Sequence, residues 1–205
     1  FTHNFSSRLF LYASVYASYQ KEPNFDSNIG PENVRAAHFD TNDNLALTYY
    51  WLPRLASITS YTFSRVDYAQ QSIGNSQDRF DNTIAERLQF SLTTRTSVSG
   101  EYRYEVIDYV TAPLDSTTHY LLVGVDHLLT EHLVVRADGG EAIRSLQNQG
   151  ISTSPYFGGS LDYLSSNHTV SWVTRYGFEA PNAEDVSIRK TWRTGLLLTY
   201  DLSSR

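Results

Sequence analysis

The chain has 205 residues, with 16 Lys+Arg against 22 Asp+Glu, a net charge of −6, and neither Cys nor Met. That balance leaves no basic footprint for nucleic acid, and the missing thiols exclude a disulfide framework, Cys-ligated metal and thiolate chemistry. Aromatics reach 14% and Tyr alone contributes 15 residues, whereas no apolar run approaches the ~20 residues of a membrane helix.

Alternation of apolar and polar residues, the signature of a strand, runs from end to end. Over 8–19, Leu9, Leu11, Ala13, Val15, Ala17 and Tyr19 alternate with Tyr12, Ser14, Tyr16 and Ser18. Over 43–52, Leu45, Leu47, Tyr49 and Trp51 share a face. Strands at 56–70 and 80–92 follow. Over 96–109, Val98, Tyr102, Tyr104 and Val106 oppose Ser99, Glu101, Arg103 and Glu105. Further strands are predicted at 117–129, 132–145 and 153–164. The last two lie at 168–179, with Val170, Trp172, Tyr176 and Phe178 on one side, and at 187–201, with Trp192, Leu196, Leu198 and Tyr200 on one side.

Ten strands result, many of them far longer than the ~5–6 residues usual in globular sheets. Their connections alternate: short at 53–54, 93–95, 130–131 and 165–167, longer and polar at 20–42, 71–79, 110–116, 146–152 and 180–186. Short turns at one end and loops at the other describe an antiparallel up-and-down meander forming a single domain over 1–205. A weak repeat of roughly 40 residues is carried best by "YTFSRVDY" (61–68) and "EYRYEVIDY" (101–109). A propeller blade has a similar period, but it holds four short strands where this repeat holds two long ones.

Strand length and the aromatics near strand ends (Tyr19, Trp51, Tyr68, Tyr109, Phe178) point the apolar face outward to lipid. The fold class predicted is therefore all-β, an antiparallel up-and-down transmembrane β-barrel or an arc of one. Val98, Tyr102, Leu121, Val123, Leu133, Val135, Trp172 and Leu198 are expected on the lipid face. Ser60, Thr62, Ser64, Glu86 and Thr174 fall on that face by the same reading, and Glu86 fits it worst.

The opposite face carries Arg65, Asp67, Arg87, Glu101, Arg103, Glu105, Asp126, Arg136, Asp138, Arg175, Arg189 and Arg193. These are the candidate pore-lining residues, either an ion-selecting lining or a network that fills the lumen. Arg–carboxylate contacts between neighbouring strands are expected among them. His127 and His132 flank one tight turn, which is two ligands and no metal site. Tyr12, Tyr16, Tyr102 and Tyr104 offer either a sugar-stacking track or packing. No nucleophile elbow, P-loop or dinucleotide motif is present. No cofactor and no catalytic residue are predicted, and the chain is expected not to be an enzyme.

The long Tyr-rich strands and tight turns of "YYWLPRLASITSYTFSRVDY" and "FSLTTRTSVSGEYRYEVIDY" resemble the β-barrel porin and outer-membrane β-barrel families of Gram-negative bacteria, over almost the whole chain. The resemblance implies a bacterial outer-membrane location, contact with outer-membrane lipid, and passive solute diffusion or polymer export. The alternatives are a non-conducting barrel scaffolding an envelope complex, or a soluble all-β binding module. A homo-oligomer or a larger envelope complex is the partner expected. Because the chain starts at Phe1 and ends in "TYDLSSR", where such barrels usually close on a strand with a terminal aromatic, it is expected to be a portion of a longer barrel.

Overall fold

A computed structural model describes residues 1–21, 36–147, 149–178 and 190–200. It is antiparallel β throughout: β1 (Thr2–Asn4), β2 (Leu9–Gln20), β3 (His38–Leu52), β4 (Leu55–Tyr68), β5 (Arg79–Ser91), β6 (Thr96–Tyr109), β7 (Ser116–Thr130), β8 (Leu133–Leu146), β9 (Gly150–Leu164), β10 (His168–Phe178) and β11 (Lys190–Tyr200), with one short helix, α1 (Gln71–Gln77). Each strand pairs with its neighbours in chain order. The sheet runs from β1 to β11, and no pairing of β1 with β11 closes it among the described residues.

All ten predicted strands are present, most with ends within a few residues. Three features were not foreseen. β3 starts at His38, five residues before the predicted 43, because Asp40, Asn42 and Asn44 are polar residues on the inward face and blur the apolar alternation. β1 has only three residues, and α1 lies in a stretch, "QSIGNSQ", with no apolar stripe.

Short side chains shape the tight turns. Ser6 Oγ accepts from the Arg8 and Leu9 amides, both at 3.1 Å, and Thr93 Oγ1 accepts from the Arg95 and Thr96 amides at 3.1 and 3.0 Å. Each hydroxyl satisfies amides that the turning chain takes out of the ladder. Register shifts at Tyr50/Leu52 and Leu128/Thr130 fall beside the β3–β4 and β7–β8 turns. At the opposite end, Gly150 takes φ 82°, where a side chain would be strained.

The weak repeat has a structural meaning. The Tyr68 amide donates to Asp78 Oδ1 and the Tyr109 amide to Asp115 Oδ1, each at 2.8 Å. In both hairpins an Asp late in the long loop thus ties down the end of the preceding strand, and both tyrosines are buried.

The two faces differ as the sequence pattern implies. Leu121, Val123 and Val125 on β7 are 58, 71 and 39% exposed, whereas the intervening Tyr120 and Leu122 are each 4% exposed. Val98, Tyr102, Trp172 and Leu198 are exposed on the same outer wall, and the register puts Leu133 and Val135 there too. The inner face is concave. Arg103 of β6 lies 5.8 Å from the ring centroid of Tyr156 on β9, and Tyr120 of β7 meets that ring edge-on at 5.5 Å. Three strand spacings on a flat sheet would separate β6 from β9 by about 14 Å, so the wall curls around its polar side.

One face assignment needs correction. The register pairs Ser60 with Ala46 and Ala85, Thr62 with Asn44, and Ser64 with Asn42 and Asp81. Directly paired residues share a face, so Ser60, Thr62 and Ser64 point inward with the buried Val66 and Tyr68. Long polar runs at 57–62 hide which parity is apolar. Glu86 does lie on the outer wall, and Thr59 Oγ1 donates to its Oε2 at 2.5 Å.

Candidate functional site

The concave face is where chemistry concentrates. Of the candidate lining residues, Arg87, Glu101, Arg103, Glu105, Asp126, Arg136, Asp138, Arg175 and Arg193 share it by register. Arg65 and Asp67 do not: they sit with Phe63 and Phe80 on the outer wall, paired to each other near the loop end. They belong to the parity opposite Val66 and Tyr68, whose burial decides the face. Arg189 lies outside the described residues.

Arg–carboxylate pairs cross the strands as expected. Glu101 is the hub of one: Arg87 Nε of β5 donates to its Oε2 at 2.7 Å, and Arg103 Nε and Nη2 converge on its Oε1 at 2.9 and 2.6 Å. Glu101 is only 7% exposed, so both guanidiniums are needed to offset the loss of water. Glu105 forms a second centre, accepting from Arg144 Nη2 at 3.0 Å and from the Tyr120 hydroxyl at 2.9 Å, while Arg144 Nε also donates to Thr118 Oγ1 at 2.8 Å. Arg136 pairs with Asp162 across β8 and β9, and Ser160 donates to the same carboxylate.

Sequence reasoning missed several members of this interior. Arg79, Asp81, Arg144 and Asp162 all face inward, with Arg79 Nε 3.4 Å from Asp81 Oδ2. Their alternation with Phe80, Ile143 and Leu161 was a usable signal. His38 and Asp40 are fully buried: His38 Nδ1 lies 2.7 Å from the Ala36 carbonyl and Nε2 lies 3.2 Å from Asp40 Oδ2, with Gln20 donating to the same oxygen at 3.1 Å. The imidazole also lies 5.2 Å from the Tyr68 ring centroid, so the pair braces the start of β3. Between the two Arg centres an apolar cluster of Tyr120, Leu122, Ala142, Tyr156 and Phe178 fills part of the concavity.

The remaining candidates separate. His127 Nδ1 lies 2.9 Å from Thr96 Oγ1, whereas His132 stands by the Tyr163 ring. Among the described residues no group of three potential ligands gathers. Tyr12 and Tyr16 point inward from β2 while Tyr102 and Tyr104 sit on the outer wall, so the four tyrosines form no single track.

An apolar wall outside, a charged wall inside and strands of 11 to 15 residues from β2 to β11 constitute the build of a membrane-spanning β-barrel wall. No family model matches the chain, and no curated protein matches it. Among solved structures, LpxR from Salmonella typhimurium is similar with a TM-score of 0.45 at 12% identity, covering 98% of this chain and 86% of that one. The expectation that this chain is not an enzyme is withdrawn, and a likeness at this level assigns it no activity and no catalytic residue.

Proposed function

We propose that the chain forms the wall of a porin-like channel through which solutes diffuse across the outer membrane. The observation that carries this reading is the inner face itself. Arg87, Glu101, Arg103, Asp126, Arg136 and Asp138 line one continuous surface opposite an apolar wall. So many ionised groups are tolerable on a concave face only where water or a counter-charge reaches them.

A second reading has its own support. The cluster of Tyr120, Leu122, Ala142, Tyr156 and Phe178 packs inside the concavity, which suits a non-conducting barrel that anchors an envelope complex. A soluble binding module is the weakest of the three, since it would leave Leu121, Val123, Trp192, Leu196 and Leu198 in water. Planar-bilayer recording on the purified chain decides between the first two. Stepwise conductance is the result expected, and a reconstituted, heat-modifiable barrel that carries no current would favour the scaffold. Solubility without detergent would remove both.

A further inference from the structure

We propose that a side-chain plug shuts the lumen toward the loop end, that the turn end stays open to water, and that the Arg144–Glu105 ion pair gates conduction. The inference rests on the channel reading above and adds how that channel is regulated. Two strands carry an arginine at each end of the inner face, and each pair gauges where water reaches. On β8 the side chain of Arg136, beside the turn, is 52% exposed, whereas that of Arg144, toward the loop, is 3% exposed. On β5 the values are 29% for Arg87 and 4% for Arg79. Other inner residues follow the same gradient. Thr118 and Tyr120 of β7 are buried while Asp126 is partly exposed, and Ser154 of β9 is buried while Ser160 is partly exposed. His38 and Asp40, at the loop end of β3, are fully buried as well. An open bore would wet the inner face along its whole height.

The plug is built from contacts that skip strands. Arg144 Nη2 of β8 reaches over β7 to Glu105 Oε2 of β6 at 3.0 Å, and its guanidinium lies 4.9 Å from the ring centroid of Phe178, beyond β9 on β10. Tyr120 of β7 donates to the same carboxylate oxygen and sets its ring edge-on against Tyr156 of β9. Asp81 of β5, beside Arg79, lies within electrostatic reach of Arg144. Side chains of six consecutive strands, β5 to β10, therefore meet inside the concavity. Arg144 joins the ionic half of that closure to the aromatic half. The attraction within a buried ion pair is offset by the hydration its members give up. Such a pair exchanges its partner for water more readily than an apolar core of that size would take water in, which suits a closure that opens.

The test starts from a chain without Cys. Ser97→Cys, on the inner face at the turn end of β6, and Ser154→Cys, at a buried position of β9, are made singly. The whole purified protein in detergent is then treated with a charged, water-soluble thiol reagent. Ser97→Cys should react readily and Ser154→Cys far more slowly. Adding Arg144→Gln, which removes a charged hydrogen bond, should speed the reaction of Ser154→Cys about tenfold or more. Adding Arg54→Gln, in the β3–β4 turn, should leave it unchanged. If Arg144→Gln does not fold, as judged by heat-modifiable migration, Glu105→Gln replaces it with the same expectation. Equal reactivity of the two cysteines overturns the plug, as does a folded gate variant in which Ser154→Cys stays shielded. Planar-bilayer recording of the same preparations reports separately on the channel. Brief, rare steps in the parent that lengthen in the gate variant support both. Release of Ser154→Cys without current in either protein keeps the plug and removes the channel. Steady conductance of the parent keeps the channel and overturns the plug.

Discussion

Glu101 bridges Arg87 and Arg103 while nearly removed from water, so its charge is the hinge of the local network. Replacing it by Gln leaves two guanidiniums facing each other with one neutral acceptor. Breaking a buried ion pair in this way typically costs about 3–5 kcal/mol, and chemical unfolding of Glu101→Gln in detergent should show a loss of that order. A double-mutant cycle with Arg87→Gln should recover part of it, since the second change removes the stranded charge. Arg103→Glu belongs to the same scale with a different readout. It reverses a charge on the inner wall and leaves Val98 and Tyr102 on the outer wall untouched, so reversal potentials under a salt gradient should move toward cations. A conducting variant whose preference does not move would reduce the cluster to filler.

At the scale of elements, strand contacts and loop anchors carry the predictions. A Cβ on Gly140 of β8 would sit 1.9 Å from the Leu121 carbonyl oxygen of β7, whereas one on Gly100 would meet nothing within 4 Å. Gly140→Ala should lower the unfolding midpoint and Gly100→Ala should leave it nearly unchanged; equal effects would contradict the register. The α1 loop is held by Asp78, whose carboxyl is pushed up from its ordinary value chiefly by burial, with the Tyr68 amide and Arg65 opposing and Asp67 adding to the shift. A raised folded-state pKa means the protonated form is favoured on folding. Its contribution is therefore full below the unfolded-state value and is lost as pH rises through the folded one. Asp78→Asn keeps an acceptor for the Tyr68 amide and removes that loss, so melting temperatures of the variant and parent should diverge upward in pH in the variant's favour. The strands themselves were legible because ten of them alternate over a dozen residues or so, and Val98, Leu121 and Val123 needed only parity to be placed. The 57–62 stretch of β4 was not, since Ser57, Thr59, Ser60 and Thr62 give both faces similar polarity, and that misplaced Arg65 and Asp67. α1 was illegible for want of any periodic residue. The inner pairs of Glu101 followed from spacing, but the Arg144–Glu105 contact skips β7 and depends on curvature that alternation does not encode.

For the molecule as a whole, the central claim is that the apolar face meets lipid and the charged face meets water. A cation in the outer wall is then expensive: Val123→Arg should cost about 2–4 kcal/mol in a bilayer or micelle, as charges at mid-depth of barrel walls do. The most direct measurement exploits a chain that contains no Cys. Single cysteines at Leu121, Leu122, Val123, Gly124 and Val125 of β7, spin-labelled in reconstituted vesicles, report accessibility to oxygen, which concentrates in lipid, and to a water-soluble paramagnetic reagent. The account predicts alternation with a period of two residues: positions 121, 123 and 125 open to oxygen and shielded from the aqueous reagent, with 122 and 124 shielded from oxygen. Labels at 121, 123 and 125 that respond to the aqueous reagent instead would put the apolar face in water and contradict the barrel.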